Sequence, residues 1–308
     1  MKLIAALAAA LAVSLAQAQT LAITIDDGPN LAATPRLSAL ERNQAMLAAL
    51  AKHRVQAALF VTSGFGADTA PGLPLLQAWS KAGHAIGNHT VTHPDLEKVS
   101  LAEYQKEVLA CDRLISTLPG YQKWLRFTYL REGNTPEKIE GMRSFLREKG
   151  YRNAHVSIDT SDWRLNEALE EVLTQNPKAD VSAIRSAYLA HIKQRMLAYR
   201  ELSHTLQGRD IAQVMLLHHN LINAMWLDDV LAQAKDMGWK IITPAEAYAD
   251  PVYTLEPVRK AAGQSMLLSL GRTLGRGWMP GGARLMDDGD YEIGQLRANG
   301  TLPAQVKK

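Results

Sequence analysis

Two short stretches of the 308-residue chain carry side chains that hold metal ions and move protons. The first is Asp26-Asp27-Gly28-Pro29, two adjacent carboxylates followed by turn residues. The second is His89-Thr90-Val91-Thr92-His93-Pro94, two imidazoles four residues apart. On a helical turn, positions i and i+4 lie one above the other and can grip one ion. Each stretch also has a plainer reading, since Asp-Gly is a common turn pair and histidines four apart before a proline serve as ordinary loop residues. Together they suggest more. One aspartate plus two histidines is the three-ligand set of a catalytic zinc-like site with a position left open for water, and the other aspartate is then free to act as a base.

Such a site needs elements that bring distant residues to one place. Residues 21–25, 55–61, 84–87, 124–127, 151–158, 213–217 and 239–242 read as strands. Helical periodicity fills the intervals, with capping boxes at Ser100/Glu103 and Thr243/Glu246 and a Thr135-Pro136 helix start. Seven strands alternating with helices imply a parallel sheet with right-handed crossovers. The polar residues fall at the C-terminal ends of five different strands: Asp26-Asp27, the stretch to His89 and His93, Arg126 to Tyr129, Asp159 to Trp163, and His218-His219. An open sheet unites only the strand ends beside its switch point, whereas a barrel gathers all of them at one mouth. The expected fold is therefore an α/β barrel.

At these residues the chain resembles the polysaccharide deacetylases with a NodB-homology domain, carbohydrate esterase family 4. Thr24-Ile25-Asp26-Asp27-Gly28-Pro29 is similar to that family's T-F-D-D-G-P, with Ile25 for Phe, and His89 to Pro94 matches H-[ST]-x-x-H-P in full. Arg126-Phe127-Thr128-Tyr129 resembles R-x-P-Y, with Thr128 where the pattern has proline, a change expected to loosen that loop. Asp159-Thr160-Ser161-Asp162-Trp163 looks like D-x-x-D-W, and Leu216-Leu217-His218 looks like L-x-H, with His219 as the alternative register. The resemblance covers about residues 21 to 250. It implies a distorted (β/α)7 barrel and metal-dependent deacetylation. It further implies metal ligation by Asp27, His89 and His93, with Asp26 as base and His218 as acid. Arg126 and Asp162 are expected to orient Asp26 as a pair, the Tyr129 N–H to bind the oxyanion, and Trp163 and Leu216 to wall a notch for the acetyl methyl. One divalent ion is the implied cofactor, zinc first, with cobalt or nickel as alternatives.

Composition narrows the class. With 34 basic against 31 acidic residues and no basic run, nothing marks a nucleic-acid partner, and 47% hydrophobic residues exclude a disordered chain. Cys111 stands alone, so no disulfide framework exists, and a buried helical position is expected for it. Residues 1–18 read as a secretory signal, with Lys2, an apolar stretch and Ala16-Gln17-Ala18 as the cleavage site. That predicts an exported, periplasmic or secreted protein with no stable membrane anchor once cleaved. The domain reading is a signal at 1–18, a barrel at 19–250 with a helical insertion at about 165–210 before the sixth strand, and a C-terminal extension at 251–308.

The insertion is expected to form two helices along one wall of the mouth, restricting the substrate groove, and the extension to pack under the barrel. His155, His191 and His204, without an acidic neighbour at ligand spacing, read as structural or surface residues, and Met215 and Met225 as core filling. The expected partner is an acetylated carbohydrate. Two other classes stay open, a hydrolase of small cyclic amides on the same fold and a carbohydrate-binding pseudoenzyme. The oligomeric state has no signature in the chain.

Overall fold

A computed structural model describes residues 19–257, 264–273 and 288–303. The expected export signal at residues 1–18 lies outside them. The core is one parallel sheet built on β1 (Thr20–Asp26), whose residues from Leu21 onward are all buried. That unbroken burial is what a parallel strand covered on both faces requires. On one side of β1 follow β2 (Ala58–Val61), β3 (Ala85–Asn88), β4 (Tyr121–Leu125) and β5 (Arg152–Asn153). On the other stand β7 (Gln213–His218) and β6 (Ile158–Asp159), and β8 (Lys240–Ile241) pairs the start of β1. Every pairing is parallel.

The expected fifth strand is two strands. β5 pairs β4 at one edge of the sheet and β6 pairs β7 at the other, so residues 154–157 carry the chain across the gap that separates the edges. Side chains replace the missing ladder there. Arg126 Nε donates to the Ala154 carbonyl at 2.6 Å, and the Tyr248 hydroxyl donates to the His155 carbonyl at 3.2 Å. This seam makes the barrel a distorted half-barrel, and the strand ends converge on one mouth as expected.

Helices alternate with strands. They are α1 (Ala39–His53), α2 (Leu73–Lys81), α3 (Leu101–Ile115), α4 (Pro136–Lys149), α5 (Asp162–Gln175), α6 (Ser182–Gln207), α7 (Leu221–Asp236) and α8 (Pro244–Tyr248). The capping boxes at Ser100/Glu103 and Thr243/Glu246 are formed, as is a third at Ser38/Glu41. Cys111 is buried in α3, where its thiol is pushed up to about 12 by burial. Met215 is wholly buried and Met225 packs against the same core. Among the described residues no helix is long and apolar enough to cross a membrane.

The insertion forms two helices, α5 and α6, but α6 does not line the mouth. It buries Ile184, Tyr188, Ile192, Met196 and Tyr199 on one face. The C-terminal extension corrects the expectation more sharply. Its described parts, α9 (Met266–Thr273) and α10 (Asp290–Ala298), pack on α5 and α6, and its residues Gln264 and Asp288 reach the mouth. These described parts do not sit under the barrel.

Candidate active site

Asp26 ends β1 and Asp27 turns out of it with φ 67°, so the two carboxylates diverge into different surroundings. Gly28 follows because the next backbone atoms pass close to β2. A Cβ there would lie 2.5 Å from Leu59 Cδ1. Asp27 stays half-open toward the cavity and its Oδ1 accepts from Thr62 Oγ1 at 3.1 Å. Asp26 is buried, with Arg126 Nη1 donating to both of its oxygens at 2.9 and 3.1 Å. Burial pushes the Asp26 carboxyl up to about 6, against the opposing pull of Arg126.

The His89–His93 segment is an irregular loop, with Thr90 at φ 73° and His93 at φ 57°, and no helical turn brings its imidazoles together. Glu107 of α3 pins it by accepting from the Val91 N–H, the Thr92 N–H and the Thr92 hydroxyl at 3.1, 2.7 and 3.1 Å. Phe65 and Tyr129 flank the His93 ring at centroid distances of 5.9 and 4.4 Å. Burial, then the neighbouring His93, hold His89 well below the usual imidazole range, so it is neutral. Its Nδ1 lies 2.8 Å from the Arg126 carbonyl, which can only accept. Nδ1 therefore carries the proton and Nε2 keeps its lone pair for a ligand bond.

Asp27 Oδ1 stands 3.7 Å from His89 Nε2 and 3.6 Å from His93 Nε2. An ion about 2.0–2.2 Å from each donor needs donor separations of this order. Among the described residues, Asp27, His89 and His93 form the group able to hold a metal ion. The donor set fits a divalent cation with borderline-soft preference.

Across the mouth, His218 ends β7 with its Nδ1 2.6 Å from Asp162 Oδ1. Asp162 opens α5 and its Oδ2 accepts from the His218 N–H, Asn220 Nδ2 and Asn223 Nδ2. Burial opposes charge on His218, but Asp162, then Asp27 and Asp26, raise it to about 10. Asp162 therefore holds the acid candidate, which corrects the expectation that it would orient Asp26 together with Arg126. The remaining Arg126 nitrogens face Ala154, Thr24 and Tyr248, away from Asp162. His219 is not the alternative. Its ring turns into the core toward Asn43 Oδ1 at 3.1 Å, and burial drives it down to about 3.

A cavity of about 550 Å³ unites Asp26, Asp27, His89, His93, Tyr129, Trp163, Leu216 and His218. Trp163 exposes 42% of its surface there, while Leu216 is buried in the wall. Phe127, Leu130, Arg131, Asp159, Gln264 and Asp288 also line it and were not singled out from the sequence as site residues. Asp159 stands in the D-x-x-D-W stretch, so it had a signal; Gln264 and Asp288 had none. Thr128 corrects another expectation. Wholly buried, it fastens the loop: its N–H donates to the Tyr104 hydroxyl at 3.1 Å and its Oγ1 donates to the Pro94 carbonyl. His155, His191 and His204 do have acidic partners, Glu132, Glu292 and Asp210, yet lie outside the cavity as structural residues.

Residues 16–153 match the family model described as polysaccharide deacetylase. The chain is 32% identical over 144 residues to a peptidoglycan-N-acetylglucosamine deacetylase of Bacillus cereus, covering 46% of each chain. It is 35% identical over 143 residues to a chitooligosaccharide deacetylase of Sinorhizobium fredii, covering 46% of this chain and 58% of that one. The chain thus spans about half the length of the curated relatives it matches. Its fold is that of the chitin deacetylase from Colletotrichum lindemuthianum, with a TM-score of 0.52 at 20% identity over 75% of this chain and 88% of that one. Asp162, Trp163, Leu216 and His218 lie beyond the residues that the family model matches.

Proposed function

We propose that this chain, a member of the polysaccharide deacetylase family over residues 16–153, is a metal-dependent hydrolase that removes acetyl groups from a polysaccharide or oligosaccharide. The observation that carries the reading is one cavity holding the Asp27/His89/His93 donors between an Asp26–Arg126 pair and a His218–Asp162 pair. Those three donors would hold the ion, with zinc the best chemical fit and cobalt or nickel as alternatives. Such an ion, when bound, lowers the pKa of water in its open position and polarises the acetyl carbonyl.

The chain's own residues supply the proton transfers. Asp26 takes a proton from the attacking water, and Arg126 keeps both carboxylate oxygens in place while it does so. The Tyr129 N–H donates to the oxyanion that develops on the acetyl carbonyl oxygen. His218, cationic up to about 10, hands its proton to the leaving amine or alkoxide. Trp163 and Leu216 receive the acetyl methyl. Export to the periplasm or the medium is part of the proposal, supported by the apolar stretch and Ala16-Gln17-Ala18.

Acetate release from acetylated chitooligosaccharides, acetylated xylan and peptidoglycan glycan tests the reading, before chelation, after it, and after zinc is returned. Release from at least one substrate should vanish with chelator and come back with zinc. Metal-replete protein that frees no acetate from any of the three would contradict it.

A further inference from the structure

The C-terminal extension carries no motif, yet it brings two side chains into the cavity of the metal donors, Gln264 and Asp288. Its described parts are anchored to the core. Leu267, Leu268, Leu270, Ile293 and Leu296 are buried in the main core, and the Met266 N–H donates to the Val156 carbonyl at 2.9 Å. Glu292 of α10 lies 3.2 Å from His191 of α6, both buried, while Arg164 reaches Asp290 at 3.2 Å and Arg297 reaches Glu171 at 3.3 Å. Asp288 and Gly289 both have positive φ, 49° and 85°, and a Cβ on Gly289 would sit 3.1 Å from Leu165 Cδ1. This tight left-handed turn delivers Asp288 to the start of α5, where Ser161 Oγ donates to its Oδ1 at 2.8 Å.

The Ser161 N–H donates to Asp159 Oδ1 at 3.1 Å, so one residue fastens two carboxyl groups to the same wall. Neither belongs to the metal donors, to the Asp26–Arg126 pair or to the His218–Asp162 pair. Gln264 adds an amide oxygen that is shielded from solvent and lacks a hydrogen-bond partner among the described residues. Beside these acceptors stands the half-exposed indole of Trp163. A pyranose ring offers an apolar C–H face and an edge of hydroxyl donors, which matches an aromatic surface flanked by acceptors. Arg131 and His218 line other parts of the same cavity, but a ring carboxylate placed against this wall would meet like charge from Asp288 and Asp159.

Resting on the deacetylase reading, we propose that Asp288 is a specificity residue. With Asp159 and Trp163 it holds a neutral sugar ring of the substrate through its hydroxyls, and it disfavours rings that carry a carboxylate. The extension, folded back onto α5 and α6, adds Gln264 and Asp288 to the wall that Asp159 begins, which gives the extension a role in substrate choice.

Asp288→Asn and Asp288→Ala, made in the full metal-loaded chain, test this with two probes. One is the neutral N-acetylglucosamine pentamer; the other is a glycan of the same length in which alternate rings carry a lactyl carboxylate. Calorimetric affinity and acetate release are measured for both. Asp288→Ala should raise KM and Kd for the neutral pentamer about tenfold while kcat stays within about twofold, as loss of a charge-assisted hydrogen bond predicts. In both variants the preference for the neutral over the anionic glycan should fall about tenfold. If wild type binds the pentamer without releasing acetate, the deacetylase reading fails and Asp288 is judged on the affinities alone. Preference and affinity unchanged in both variants would overturn the inference, as would a loss confined to kcat.

Discussion

Asp26 and Asp27 are neighbours in the chain with opposite surroundings, and the division of work proposed for them follows that difference. Asp27 faces two neutral imidazoles and open cavity; Asp26 is sealed behind Arg126. The residue types alone could not say which aspartate does which, because adjacent strand-end positions exchange roles with a single change of backbone angle. The positive φ of Asp27 is what turns its carboxylate toward the cavity while Asp26 stays behind Arg126. Asp162 was harder still to read, since two cationic side chains share the mouth and spacing does not reveal which one a third carboxylate will meet. It meets His218. There the pH dependence has a definite sign: burial favours the neutral imidazole, and Asp162 leads the carboxylates that overcome it and hold the cation up to about 10. A general acid must be protonated, so activity is lost as pH rises through that value. Asp162→Asn removes the leading partner, and the alkaline limb of the kcat profile should move to lower pH by about one unit or more, with kcat at neutral pH reduced about 10²-fold or further. An unmoved limb would argue against His218 as the acid.

The elements were legible where periodicity or capping spoke. Helix α1, the three-strand run β1 to β3 and the capped starts of α3, α4 and α8 stand within a few residues of where apolar spacing and Ser, Thr and Glu place them. What local pattern could not reveal was the seam, because the mixed apolar and polar residues 151–158 read the same whether they form one strand or two half-strands on opposite edges. Its carbonyls are taken by Arg126 and Tyr248, residues remote in the chain. The loop after β4 teaches the same lesson. Thr128 replaces an expected proline and ties this loop to the His89–His93 loop through Pro94, and to α3 through Tyr104. Proline has neither the N–H nor the hydroxyl. Thr128→Pro should therefore cost about 2 kcal/mol of stability by leaving the Tyr104 hydroxyl and Pro94 carbonyl without these donors, and should lower kcat as well. A chemical denaturation midpoint equal to wild type would show that the tie is dispensable.

At the scale of the molecule, one parallel half-barrel gathers five strand ends, and two late-sequence features complete what surrounds them. The barrel was legible because reactive residues recur at strand ends, a pattern that only a converging mouth explains. The extension was not, since its anchors are ordinary leucines and isolated ion pairs, and its two cavity residues have no motif. Everything rests on one proposed division, in which Asp27, His89 and His93 hold a metal ion and Asp26 works beside it without being needed to hold it. Metal content and acetate release, measured side by side on Asp26→Asn and Asp27→Asn, test this directly. The account predicts that Asp26→Asn retains close to one ion per chain with acetate release reduced at least about 10³-fold, whereas Asp27→Asn loses the ion and the activity together. Metal lost from Asp26→Asn and retained in Asp27→Asn would contradict it.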